Sequence, residues 1–178
     1  MDIRLAGQQD LPQLALLLWM HAATDEQAKQ SVASFAVDLD TWWTDHDASH
    51  VAFVATAPAS GCDLLGMAWL ALVPRLPRPG ATSRRSADIQ SVFVVPEQRG
   101  NRIGSALVQA ATEHASGLGA DRVTVHSGRR AVPVYERLGF TSSRQLLQRS
   151  TDVSVEAELV AFDVLHHQAG LVDPIGTQ

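Results

Sequence analysis

The sequence has few of the residues on which several protein classes depend. Its 178 residues include a single cysteine, Cys62, which excludes a disulfide framework and a cysteine-based metal site. No apolar run reaches the roughly 18 residues that a membrane span needs. Residues 1–4 do not begin a basic and then apolar stretch, so we expect no secretory signal and a cytoplasmic location.

Positive charge is also scarce. The chain has 14 Lys and Arg residues against 19 Asp and Glu residues, a formal net charge of −5, and its one lysine is Lys29. This balance disfavours nucleic acid as a partner and, with the short apolar runs, a membrane surface. A hydrophobic fraction of 46% with 19% charged residues predicts a globular chain with a sizeable core.

Hydrophobic periodicity predicts a mixed α/β chain. Strands are predicted at residues 3–6, 51–57, 64–73, 88–95, 122–126, 143–150 and 156–165, the last two as a hairpin. Helices are predicted at residues 11–21, 31–43, 101–118 and 131–138. Residues 24–30 are expected to form a loop or helix end, and the Pro- and Arg-rich residues 74–85 a surface loop.

The junction between residues 89–95 and the helix that follows is the part of the sequence that most strongly indicates a ligand. A β-branched run leads into a turn with Gly100 and Gly104, and a helical pattern leaves it. A helix start offers unpaired N–H groups to an anion, glycines allow close approach, and Arg99 and Arg102 add positive charge. Glycine spacing alone also fits a tight turn without a ligand. Neither the P-loop pattern nor a dinucleotide fingerprint is present.

Two motifs in this region resemble those of the GCN5-related N-acetyltransferases. Residues 99–104, RGNRIG, closely resemble the family signature Q/R-x-x-G-x-G/A, and the preceding strand resembles the family's fourth strand. Residues 131–140 resemble the family's A-x-x-x-Y-E-x-x-G-F segment, with Tyr135 as the tyrosine. The interval and the element order also fit. The resemblance therefore covers residues 1 to about 165 and leaves 166–178 as a frayed tail.

The resemblance implies a fold and a reaction. The fold is a single α/β (α+β) domain, with a mixed, mostly antiparallel central sheet and helices on both faces. The reaction is direct transfer of an acetyl group from acetyl-CoA, without a metal, to a primary amine of a small molecule or peptide. A non-catalytic acyl-CoA-binding sensor or partner domain is the alternative, and a homodimer stays open.

The resemblance also implies which residues serve this reaction. Tyr135 would protonate the leaving thiolate, and the backbone N–H of Val94 would polarise the thioester carbonyl. The cofactor-binding residues would be Val92, Phe93 and Val94 of the strand, and Arg99, Gly100, Asn101, Arg102, Ile103, Gly104 and Ser105 of the signature.

Two positions depart from the family pattern. Arg102 stands where the family usually has glycine, and we expect its side chain to be tolerated if the residue is already helical. Gly128 stands where members often have asparagine, so that contact is absent or replaced, for example by Ser127.

The group that takes the proton of the amine is less defined by the sequence. His126, at the end of a predicted strand, is the first candidate, and Asp88, Asp25 and Glu26 are alternatives. The acceptor side would be formed near the first two helices, where Trp19, Trp42 and Trp43 are either core residues or an aromatic wall. The arginines of residues 75–85 are expected in a loop that approaches an anionic substrate or the CoA 3′-phosphate, or is only solvated.

Overall fold

The computed structural model describes residues 1–57, 63–144, 146, 147 and 149. They divide into a compact unit, Met1–Thr141, and a second unit, Ser142–Gln178. The strands are β1 (Asp2–Leu5), β2 (His50–Thr56), β3 (Leu64–Arg75), β4 (Arg84–Val94) and β5 (Ala120–Val125). The helices are α1 (Leu11–His21), α2 (Thr24–Gln27), α3 (Val32–His46), α4 (Ile103–Gly117) and α5 (Val132–Arg137).

The strands form one five-stranded sheet in the order β1-β2-β3-β4-β5. Neighbours from β1 to β4 pair antiparallel, whereas β4 and β5 pair parallel. The expected mixed, mostly antiparallel sheet is confirmed. A parallel pair needs a crossover connection, which α4 supplies between β4 and β5.

Helices cover both faces of the sheet, as expected. Alternate residues of a strand point to opposite faces. Ala68 and Leu70 of β3 pack in one cluster with α4, whereas Met67 and Trp69 pack in another cluster with α1 and α3. Leu14, Met67 and Leu107 are among the side chains that are fully buried.

Two local predictions are corrected by the structure. β3 extends through Pro74 and Arg75, and β4 begins at Arg84, so the loop shrinks to residues 76–83. Pro74 is tolerated because the pairing of β3 with β2 ends at Ala71. Beyond that residue no β2 carbonyl needs a backbone N–H from β3, which proline lacks. Residues 24–27 form the short helix α2 rather than a loop.

The predicted C-terminal hairpin is not seen among the described residues. Those within 143–150 belong to no helix or strand. The predicted strand at residues 156–165 and the tail from 166 lie outside the described residues. The predicted domain boundary at residue 165 stays a prediction.

A buried ion pair fixes the turn between β1 and α1. Asp10 is 6% exposed, and its carboxylate accepts hydrogen bonds from Arg4 Nη1 and Nη2 at 2.6 and 2.7 Å. It also accepts one from the backbone N–H of Gly7 at 2.9 Å. The bond from Arg4, together with the Gly7 N–H and the charge of Arg4, lowers the pKa of Asp10 against its burial.

We expect Asp10→Asn to lower the free energy of unfolding by about 2 kcal/mol at neutral pH, because Arg4 loses a charged partner. The lowered pKa of Asp10 means that its contribution is present above the ordinary aspartate pKa and is lost as pH falls below it. The difference between wild type and variant should therefore shrink in acid. Urea denaturation at pH 7 and pH 3 measures it, and Asp40→Asn, at an exposed site on α3, is the control. An equal difference at both pH values would contradict this account.

Candidate active site

The sheet opens between β4 and β5. Their parallel pairing runs from Arg85 and Ala120 to Ile89 and Val125. In the part of the chain that the structure describes, no strand pairs with residues 90–94 on that side of β4. The opening begins at a β-bulge in β4. Two adjacent β3 residues pair with Ile89 and Ser91, which leaves Gln90 as the extra residue of β4.

The hydrogen-bond alternation of β4 decides which backbone groups face this opening. The N–H of Val95 donates to the carbonyl of Leu65 at 3.0 Å, so Val95 faces β3. Successive residues of an antiparallel strand alternate in direction, which turns Phe93 toward β3 and Val92 and Val94 toward the opening. Of the three strand residues expected to pair with a cofactor, Val92 and Val94 therefore present their backbone groups to it. Phe93 does not, because its backbone pairs with β3.

The start of α4 adjoins the same end of β4. A Cβ added to Gly104 would lie 3.6 Å from Cγ2 of Val94, so the first turn of α4 packs on the last residue of the strand. The N–H groups of Ile103, Gly104 and Ser105 lie in that first turn, where a helix leaves its donors without intrahelical acceptors. A row of N–H donors at the helix start is thus continuous with the open backbone of β4.

Arg102 has a conformation that differs from the expected one. It lies just before α4 with φ 61° and ψ 11°, in the left-handed region, so it is not already right-handed helical. Gly100 precedes it with φ 87°. The left-handed region favours glycine because a Cβ crowds the following carbonyl oxygen. This explains physically why glycine suits this position better than arginine.

We expect Arg102→Gly to raise the free energy of unfolding by about 1 kcal/mol, because the strain of a left-handed side-chain-bearing residue is removed. Arg102→Ala keeps a Cβ and should give no comparable gain. Thermal or urea unfolding of the two variants measures the difference. If both variants gain the same stability, the charge of Arg102, and not its conformation, is responsible.

Tyr135 lies on α5, the helix that follows β5. Its half-buried ring packs against the cluster that Val92, Val94 and Val125 also contact, and meets the ring of Phe140 edge-on with centroids 5.5 Å apart. Burial raises the pKa of its phenol above the ordinary value of 10.0. The hydroxyl therefore keeps its proton at neutral pH and is available as a proton donor.

Two of the four predicted base candidates lie where β4 and β5 separate. Asp88 is half-buried on β4, one position before the last pair, and its Oδ1 accepts a hydrogen bond from Thr124 Oγ1 at 2.8 Å. His126 is exposed and directly follows Val125, the last residue of β5. Thr124 was missed by the sequence reasoning, although a threonine on a predicted strand that neighbours Asp88 was the available signal.

The other two base candidates lie on α2. Glu26 Oε2 accepts a hydrogen bond from the backbone N–H of Ala23 at 3.1 Å and so caps α2, which is a structural role. Asp25 is exposed on the same helix. The role of either residue toward the amine stays a prediction.

The tryptophans divide into structural and exposed ones. Trp19 Nε1 donates to the carbonyl of Gln30 at 3.1 Å, and Trp43 Nε1 donates to that of His50 at 3.3 Å. Trp43 is 8% exposed and belongs to the core, whereas Trp42 is 38% exposed and stacks on His46 at 4.7 Å. Of these three tryptophans, Trp42 has the most accessible ring for an aromatic wall.

The arginine-rich loop is far from the start of α4. The loop leads into the first residue of β4, whereas the start of α4 adjoins the last residue of β4. The eleven residues of β4 between them span roughly 35 Å. Arg75 and Arg84 contact the carboxylate of Asp121 at 3.6 and 2.9 Å. The loop therefore does not adjoin the start of α4, and its approach to an anionic substrate or to the CoA 3′-phosphate stays a prediction.

The described residues contain neither a metal-ligand cluster nor a membrane-spanning helix. None of their His, Cys, Asp and Glu side chains form a group of three or more that could hold a metal ion. None of the helices within these residues has the length and apolarity for a membrane crossing.

The comparisons with known proteins agree with the geometry. The profile of the Acetyltransferase (GNAT) family matches residues 16–140. A glucosamine 6-phosphate N-acetyltransferase from Trypanosoma brucei brucei is 31% identical over 85 residues, which are 48% of this chain and 56% of that protein. The match thus spans little more than half the length of this relative.

Solved structures share the fold. An acetyltransferase from Agrobacterium tumefaciens, itself assigned only as putative, superposes with a TM-score of 0.62 at 27% identity, covering 85% of this chain and 100% of that one. A predicted acetyltransferase from Clostridium acetobutylicum, solved with acetyl-CoA, superposes with a TM-score of 0.64 at 17% identity, covering 84% of this chain and 95% of that one. At that identity the second match shows the fold alone.

Proposed function

Because this chain belongs to the acetyltransferase (GNAT) family, we propose that it transfers an acetyl group from acetyl-CoA directly to a primary amine of a small molecule or peptide. The supporting observation is the open backbone of β4 beside the donor-rich start of α4. The Trypanosoma relative is named for acetylation of an amino sugar phosphate, which agrees with an amine acceptor. We infer no particular acceptor for this chain from it.

The proposed cofactor site follows the chain from helix to strand. The N–H groups of residues 100–105 would hold the pyrophosphate, since a helix start favours anions. The backbone of Val94, adjacent to that start, would pair with the pantetheine arm. Acetyl-CoA supplies an activated acyl carbonyl on a thioester.

We propose a different N–H for polarising the thioester carbonyl from the one expected from the sequence. Val94 was expected in this role, but it lies at the pyrophosphate end of the strand. Val92 points the same way and lies about 6.6 Å farther toward the separation of β4 and β5. We therefore propose the N–H of Val92 for the thioester oxygen, as a one-donor oxyanion site.

Two proton movements complete the proposed role of the chain. His126, or alternatively Asp88, would accept a proton from the amine nitrogen, so that the nitrogen lone pair is available. The Oη–H of Tyr135 would give its proton to the sulfur that leaves. The raised pKa of Tyr135 keeps that proton in place until it is needed.

Variants of the two base candidates separate their roles. If His126 is the base, we expect His126→Ala to lower kcat at least tenfold, with Asp88→Asn nearly unchanged. Since Asp88 is held by Thr124, a loss in Asp88→Asn together with a smaller loss in Thr124→Val would transfer the role to Asp88. Steady-state rates at saturating acetyl-CoA measure kcat for all three variants.

Calorimetry with acetyl-CoA, beside CoA release across a panel of amines, tests the proposed function. Acetyl-CoA should bind, and at least one primary amine should release CoA with formation of its N-acetyl product. Tight binding without turnover on any amine would favour the acyl-CoA-binding sensor or partner domain instead. Failure of both acetyl-CoA and CoA to bind would refute the proposal.

A further inference from the structure

Arg99 lies across the open edge of β4. Its Nε–H donates to the backbone carbonyl of Val94 at 3.1 Å, and its guanidinium carbon lies 5.6 Å from the centre of the Phe93 ring. The side chain is exposed, so packing does not force this position. The contact joins the first residue of the signature to the last residue of the strand.

The acceptor in this contact is one that an extended ligand would need. The carbonyl of Val94 faces the opening, where β5 no longer pairs with β4. A ligand that adds to β4 like a further strand needs such a carbonyl for its own amide N–H. On the proposed function, the side chain of Arg99 therefore covers a backbone group to which the pantetheine arm would bind.

The same guanidinium is placed to reach a stronger acceptor. The side chain of Arg99 is hydrogen-bonded to the strand. The turn that leads to α4 begins at the next residue of the chain. A hydrogen bond from guanidinium to a phosphate oxygen is charge-assisted, whereas its bond to Val94 has a neutral acceptor. An anion at the helix start can therefore draw Arg99 away from the strand.

We propose that Arg99 is a positioning residue with two alternative partners. Without cofactor, it is hydrogen-bonded to the carbonyl of Val94. It then closes the groove along the open edge of β4 in which the pantetheine arm would lie. When a diphosphate binds at the start of α4, the guanidinium moves to the phosphate oxygens and uncovers Val94. The proposal rests on the proposed function and makes the diphosphate the group that opens the groove.

The test compares CoA with pantetheine, which lacks the diphosphate. In Arg99→Ala we expect the Kd of CoA to rise about tenfold and the Kd of pantetheine to fall about threefold, because the groove is already open. Arg99→Gln should change both constants in the same directions. Calorimetry measures CoA, and amide shifts in a millimolar NMR titration measure pantetheine. Arg102→Ala is the matched control, and it should weaken CoA while leaving pantetheine unchanged.

The possible outcomes are distinct. Opposite changes for the two ligands support the exchange of partners. Pantetheine that binds Arg99→Ala no more tightly than wild type, or does not bind Arg99→Ala at all, overturns it and leaves Arg99 at most as a phosphate contact. Failure of CoA to bind the wild-type protein would refute the proposed function itself.

Discussion

Gly104→Glu is expected to weaken CoA binding about 100-fold while the protein stays folded. The new carboxylate would stand in the first turn of α4, where the helix start otherwise favours the negative pyrophosphate. The fold should accept the substitution, because a Cβ there would be 3.6 Å from Val94 Cγ2, which is an ordinary contact. Calorimetry with CoA and thermal unfolding measure the two expectations.

Gly104→Ala is the matched control. It adds the same Cβ without the charge, so CoA affinity should stay within about threefold of wild type. A similar loss in both variants would mean that the volume at Gly104 matters and the charge does not. Full CoA affinity in Gly104→Glu would remove the start of α4 from the binding site.

Tyr135→Phe is expected to lower kcat at least tenfold with nearly unchanged affinity for CoA. The substitution removes the proton donor but keeps the ring that packs on Phe140, so the fold should be unaffected. Because burial raises the pKa of Tyr135, the wild-type rate should not fall through ionisation of this phenol below about pH 10. Steady-state assays of CoA release measure kcat, and calorimetry measures the affinity for CoA.

A different pattern in Tyr135→Phe would change the mechanism. Wild-type turnover would remove the phenol as the acid, and the thiolate would have to leave without a proton from Tyr135. A loss of CoA affinity equal to the loss of rate would indicate that the hydroxyl positions the cofactor.

Much of the fold could be predicted because local patterns and tertiary packing agree. The apolar spacing of α1 and α4, the Ser31 cap of α3 and the left-handed Gly119 just after α4 each act within a few residues. Pro74 was misjudged because its place in β3 depends on where a different strand, β2, ends. That end is set by the sheet as a whole and leaves no signal beside the proline.

The family could be predicted from motifs, whereas the geometry of the candidate site could not. Residues 99–104 and residues 131–140 together indicated the family, which the comparison confirmed. The backbone direction of Phe93 depends on its pairing with β3, and the left-handed φ of Arg102 depends on how the turn enters α4. The contact of Arg99 with Val94 likewise requires the strand and the helix to be placed together.

In the proposed function, the open edge of β4 and the start of α4 form one CoA site. Backbone amide shifts in ¹⁵N-labelled protein titrated with CoA test it most directly. We expect the largest shifts at Val92, Val94 and residues 100–105, and smaller ones at Phe93, whose N–H is paired with β3. Largest shifts elsewhere, for example around Trp43 and His50, or no shifts at saturating CoA, would contradict it.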